Sequence, residues 1–142
     1  RMPFNLAVFD VNAADGIREM FPEITDWYIG GHSLGGSMAA AYLEKHPSDF
    51  KGLLLLAAYS PADLSNKNIR TGAIYGSNDG VLHREKNEQY RSNLPELTEY
   101  IIDGGCHAYF GVYGSQDGDG TPTIDNARQI NLTANAVAKW GG

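Results

Sequence analysis

Ser33 stands within Gly31-His32-Ser33-Leu34-Gly35, a G-x-S-x-G pattern. A serine so placed occupies the tip of a sharp strand-to-helix turn, where a strained backbone holds its hydroxyl clear of the sheet. The crowding of that turn accounts for Gly31 and Gly35. A hydroxyl is a poor nucleophile at neutral pH. It needs a base within hydrogen-bond reach, and the base needs a carboxylate to fix its tautomer and stabilise its charged form. His107 is the candidate base and Asp79 the candidate acid, so nucleophile, acid and base run in the order Ser33, Asp79, His107. The amide of Leu34, the residue after the nucleophile, is the candidate oxyanion donor. The positive end of the helix starting there would assist it.

Each candidate has rivals. His32 adjoins Ser33, so its side chain points away from the serine's and reads as packing or elbow support. His46 falls at a helix C-terminus, where its charge suits the dipole. His83 precedes a helix near Asp79, a position at a pocket rim. Asp79 lies in a Gly-Ser-Asn-Asp-Gly segment that is also ordinary turn chemistry. Asp103 and Asp63 stay open as alternative acids, although Asp103 lies on the strand that carries His107. Cys106 reads as packing, because adjacent residues seldom orient a thiol and an imidazole together. Asp117-Gly118-Asp119-Gly120 has only the opening of a calcium loop. Pro122 and Arg128 fall where an EF-hand needs other residues, so the segment reads as flexible loop and no metal is expected.

The elements that must position these groups follow from pattern and punctuation. Residues 1–9 are apolar and irregular, with Phe4, Leu6, Val8 and Phe9. Asp10 suits an N-cap for a helix over about 11–20, closed by Pro22. Trp27-Tyr28-Ile29-Gly30 is a short strand, and 36–46 a helix that stops before Pro47. The apolar run 52–58 has the character of a central parallel strand covered on both faces. Strands over 71–75 and 97–102 flank a polar helix over 84–92, and Asp79 and His107 follow those strands. A Gly-rich loop spans 108–121. A last helix over 123–140 takes Ile124, Ala127, Ile130, Leu132, Ala134, Val137 and Ala138 as its apolar positions. Alternating strands and helices imply an α/β fold, a mostly parallel sheet with helices on both faces. Ligands of such sheets gather at the strands' carboxyl ends.

Composition bounds the answer. The 142 residues suit one domain, 1–142, with no linker or repeat. An apolar fraction of 42% with eight tyrosines and five phenylalanines is that of a globular chain. A net charge of −6 with no basic stripe argues against nucleic acid or an anionic membrane as partner. One cysteine excludes an internal disulfide. No apolar run approaches the ~20 residues of a membrane span. With no leader visible, the compartment stays open between cytoplasm and cell envelope.

Gly-His-Ser-Leu-Gly-Gly at 31–36, Gly-Ser-Asn-Asp-Gly at 76–80 and Gly-Gly-Cys-His-Ala at 104–108 together resemble the α/β-hydrolase superfamily. His107-Ala108-Tyr109-Phe110-Gly111, with Tyr113-Gly114 and Gly118-Asp119-Gly120, further resembles a bacterial branch near the dienelactone-hydrolase-like enzymes. The resemblance implies Ser33 as nucleophile, Asp79 as acid and His107 as base. Dienelactone hydrolases use a cysteine nucleophile, so Ser33 points instead to esterase chemistry. The likeness covers the C-terminal part of that fold. The family's strands before the elbow, and the loop supplying a second oxyanion N–H, have no counterpart here, so we expect a truncated α/β-hydrolase fold. One lost oxyanion donor typically costs about 10²–10³ in turnover. The strand at 27–30 would then be an exposed edge, open to self-association.

These readings predict a serine hydrolase of carboxylic esters or related acyl compounds, working through an acyl-enzyme and without a cofactor. Its partner is a small acyl substrate, with Tyr109 and Phe110 at the binding site and Tyr59 and Tyr113 as further lining. The alternative is a hydrolase-fold module without useful activity. Acyl or peroxide chemistry on the same three residues is a third possibility.

Overall fold

Leu53, Leu54, Leu55 and Leu56 fill β2 (Gly52–Leu56), and successive side chains on a strand point to opposite faces. Leu53 and Leu55 join one apolar cluster with Ala40, Leu43 and Ala73, while Leu54 and Leu56 join another with Ile74, Ile102 and Ala136. A strand buried on both sides cannot alternate with polar residues, which is why this run is apolar throughout.

The computed structural model describes residues 15–142. In it β2 pairs in parallel with β1 (Tyr28–His32) and with β3 (Arg70–Gly76), and β3 pairs in parallel with β4 (Leu97–Ile102). The sheet order is β1-β2-β3-β4. The register sets Gly31 beside Leu55, Leu55 beside Ala73 and Ala73 beside Glu99. All four carboxyl ends therefore open on one side. Helix α2 (Leu34–Lys45) lies against β1 and β2, and α4 (Asn126–Gly141) lies against β3 and β4 on the opposite face. The expected α/β architecture is thus present, with strand ends shifted by one or two residues. Residues 1–14, including Asp10 as the expected cap, lie outside the described residues; of the expected first helix, α1 spans Ile17–Met20 and ends before Pro22. Helix α3 (Arg84–Gln89) is shorter than expected and gives way to a 3₁₀ turn at Arg91–Asn93.

Helix α4 corrects the pattern expected for it. Asp125 caps it, its carboxylate accepting the Arg128 amide at 2.7 Å, so regular helix begins at Asn126 rather than 123. Its fully buried residues are Gln129, Ala136 and Trp140, a stripe at helical spacing, with Val137 and Thr133 half-buried beside it. Ala127, Ile130, Leu132, Ala134 and Ala138 face outward. The residue that ranks the stripe wrongly by polarity is Gln129, whose burial is permitted because both ends of its amide are hydrogen-bonded.

Candidate active site

The serine turn is built by close backbone packing. Ser33 has φ 54° and ψ −127°, a conformation that typically costs on the order of 1–3 kcal/mol and must be over-determined by its surroundings. Here the Ser33 amide donates to the Leu56 carbonyl at 2.9 Å, tying the turn to the end of β2. A methyl group on Gly31 would lie 2.5 Å from the Gly35 carbonyl carbon. The second steric requirement falls on Gly36, not on Gly35 as the motif suggested. A methyl on Gly36 would meet the Ala58 Cβ at 2.6 Å and the Gly31 oxygen at 2.7 Å, whereas one on Gly35 would meet nothing. Gly36→Ala should therefore destabilise by about 1–3 kcal/mol through overpacking. Gly35→Ala should be neutral or stabilise by up to ~1 kcal/mol, since Gly is a poor helix former. Urea midpoints of the two variants check the contrast.

The candidate acid and base, Asp79 and His107, follow the ends of β3 and β4. Asp79 is buried, and its Oδ1 accepts the amides of Val81 and Leu82 at 2.9 and 2.8 Å. His107 is 1% exposed, and its Nδ1 lies 2.9 Å from Asp79 Oδ2 and 3.1 Å from Oδ1. A carboxylate only accepts, so this pairing assigns the proton to Nδ1 and leaves the Nε2 lone pair free. That tautomer is the one a general base requires. Nε2 is itself buried and has no hydrogen-bond partner among the described residues. Buried polar atoms without partners are uncommon, and a catalytic role is one of the few reasons to keep one.

His32 joins the two halves of the site. Its Nε2 donates to the His107 carbonyl at 3.0 Å, and its ring centroid is 4.6 Å from that of His107. It also stacks on Tyr113, with ring centroids 5.7 Å apart. Burial, and then the neighbouring His107, hold the His32 pKa below the ordinary imidazole range, so the ring is neutral at neutral pH. The sequence reads His32 as packing or elbow support; in the structure it both packs on the His107 ring and holds the His107 carbonyl.

The structure brings Asp79 and His107 into contact. It sets Ser33 one residue from His32 at the same end of the sheet, but no hydrogen bond joins the serine hydroxyl to Nε2. Leu34 opens α2, where first-turn amides have no intrahelical acceptor, and its side chain is 52% exposed. Tyr109 and Phe110 lie half-buried in a 3₁₀ turn, Ala108–Phe110. Phe110 packs on the apolar cluster under α4 as well as near His32, at 5.5 Å between rings. Tyr113 is largely exposed over His32, while Tyr59 stacks on Tyr90. The rivals go elsewhere. Asp103 accepts from the Ser77 hydroxyl, and Asp63 accepts from the amide and hydroxyl of Ser65. His46 stacks on Tyr42, and His83 is exposed ahead of α3. Cys106 is buried, and that burial, with Asp119 beside it, pushes its pKa up and keeps the neutral thiol.

Two residues of the site, Asp119 and Gln129, are not among the catalytic or binding candidates of the sequence. Asp119, expected in a flexible loop, is folded onto the backbone at His107: its carboxylate accepts the amides of His107 at 3.0 Å and Ala108 at 2.9 Å. Its oxygens are occupied by backbone N–H groups, which is why the calcium-like run forms a structural clasp. Gln129 brackets Cys106, its Oε1 accepting the Cys106 amide at 2.9 Å and its Nε2 donating to the Cys106 carbonyl at 2.8 Å. Asp119 stands in the glycine-flanked Gly118-Asp119-Gly120 run that carries part of the family resemblance, while no sequence signal marks Gln129.

A four-stranded parallel sheet with a strained serine at the turn after its first strand, and a carboxylate–imidazole pair after its third and fourth, has the architecture of a hydrolase fold. The chain belongs to the alpha/beta hydrolase family, whose sequence model matches residues 1–131. No curated protein matches the sequence. Solved structures that resemble it include a predicted CIB-like hydrolase from Thermoplasma acidophilum, 18% identical at a TM-score of 0.59, covering 87% of this chain and 56% of that one. An alpha/beta hydrolase from the sediment metagenome of the Mar Chica lagoon, Morocco, is 17% identical at a TM-score of 0.64, over 91% of this chain and 68% of that one. An esterase from Rhodococcus sp. ECU1013 is 11% identical at a TM-score of 0.63, over 97% of this chain and 74% of that one. At these identities the likeness is one of fold. The chain spans little more than half the length of the Thermoplasma hydrolase.

Proposed function

We propose that this chain carries the nucleophile, acid and base of a serine hydrolase acting on carboxylic esters or related acyl compounds. One observation carries the reading. His107 is oriented by the buried Asp79, and its outer nitrogen is left without a partner at the sheet end that also holds the strained Ser33. In the proposed reaction Ser33 Oγ attacks the acyl carbon while His107 Nε2 takes the hydroxyl proton. The Leu34 amide donates to the developing oxyanion. Collapse expels the alcohol, protonated by the imidazolium, and leaves an acyl-serine. Water, deprotonated by Nε2, then releases the acid and restores the serine. Tyr109, Phe110 and the exposed Tyr113 are the residues we assign to the substrate side of His107. The similarity of fold to a Rhodococcus esterase is consistent with this class of substrate.

The second reading is a hydrolase-fold module without turnover. The missing hydrogen bond between Ser33 and Nε2 favours it. A fluorophosphonate separates the two. We expect one adduct per chain, mapped by mass spectrometry to the peptide containing Ser33, and a burst of nitrophenol from a p-nitrophenyl ester. No adduct, or an adduct on another residue, overturns the hydrolase reading.

A further inference from the structure

Acid and base rise from different strands, so their 2.9 Å contact depends on two loops being held in mutual register. Catalytic groups need placement to within about 0.5 Å. The main chain around the base is clamped by side chains: Gln129 on both sides of Cys106, His32 on the His107 carbonyl, and Asp119 on the amides of His107 and Ala108. Asp119 differs from the other two because it also holds the acid's loop. Its Oδ1 accepts from Gly80, the residue after Asp79, at 3.2 Å, and from Gly120 at 2.8 Å. The loop that carries Asp119 is pressed onto the acid loop. A methyl on Gly120 would overlap the Asn78 carbonyl, and Asn78 Nδ2 donates to the Thr121 carbonyl at 2.9 Å. Burial alone would raise the Asp119 carboxyl, but the amides of Ala108, His107 and Gly80 outweigh it and hold its pKa below the ordinary carboxylate range. The group is therefore an anion, and hydrogen bonds to an anion are roughly twice as strong as neutral ones.

We propose that Asp119 is a positioning residue for the Asp79–His107 pair, fixing the separation of acid and base by binding the amide of His107 and that of Gly80, the residue after Asp79. The inference rests on the hydrolase reading for its kinetic consequence, but not for its geometric one.

Asp119→Ala removes every one of these acceptors. Asp119→Asn keeps one oxygen for Gly80, His107 and Gly120 but turns an NH₂ toward the Ala108 N–H, donor against donor. Acylation by p-nitrophenyl acetate should fall about 10²-fold in Asp119→Ala, the scale of a misplacement near 1 Å. KM should change little, and Asp119→Asn should lie between that variant and the parent. The low-field proton resonance of the His107 Nδ1–H, bridged to Asp79, should weaken or vanish in the same order, measured well below each variant's melting temperature. A merely structural aspartate would lower the melting temperature while leaving rate and resonance intact in the folded protein, and that outcome overturns the proposal. If Asp119→Ala does not fold, the Asn variant is read by the same criteria. If the parent protein shows no acylation at all, the hydrolase reading fails, and the resonance alone decides: its loss in the variants upholds the positioning role and its persistence refutes it.

Discussion

Asp79→Asn is expected to slow acylation about 10⁴-fold at nearly unchanged stability, a loss of about 5.5 kcal/mol in transition-state binding. The reason lies in how the two carboxylate oxygens are used. Oδ1 serves the amides of Val81 and Leu82, and an asparagine oxygen in the same place keeps both bonds. Oδ2 is the atom nearest Nδ1 of His107. An amide nitrogen there donates where the carboxylate accepted, and the imidazole must answer by moving its proton to Nε2. A protonated Nε2 cannot take the proton of Ser33. The fold survives because the buried donors stay satisfied, and turnover is lost because the wrong nitrogen is basic. Single-turnover acylation and a thermal melt together check this. A rate within tenfold of the parent would mean that Asp79 does not orient the base.

Trp140→Ala is expected to cost about 3–5 kcal/mol, the usual scale for emptying a large aromatic site. Trp140 is 7% exposed near the end of α4, and its indole rests on the strand backbone where Gly72 and Gly52 leave room. A methyl at Gly72 would sit 3.0 Å from the indole, so the two glycines and the tryptophan form one packing unit joining α4 to β2 and β3. Tyr28 meets the ring edge-on at 5.4 Å, and the Arg70 guanidinium lies 5.1 Å from it. The indole nitrogen has no partner among the described residues, so the contribution is one of contact and burial. Trp140→Phe should accordingly cost much less than the alanine variant. Urea unfolding measures both, and a loss below about 1 kcal/mol for Trp140→Ala would show that α4 is docked by other contacts.

Much of this arrangement is readable along the chain. The leucines of β2 declare a strand buried on both faces, because only such a strand lacks polar alternation. The Gly-His-Ser-Leu-Gly-Gly run declares a turn too tight for side chains. Which glycine bears that constraint is not readable: Gly35 and Gly36 differ only in what lies opposite, and Ala58, the residue that excludes a methyl at Gly36, lies in the segment just after β2. The buried face of α4 departs from its apolar pattern for a related reason. A glutamine looks like a solvent residue until its amide is found spanning Cys106, 23 residues earlier.

Local sequence therefore determined the order of strands and helices, the position of the serine elbow and a short list of carboxylates and imidazoles at strand ends. Those features follow from side-chain periodicity and backbone sterics, which act over a few residues. The tertiary structure decided which carboxylate meets His107, that Asp103 and Asp63 do not, and that Asp119 ties the two loops together. A polar group's partner is chosen by where distant loops meet in space, and neither spacing nor composition encodes that meeting.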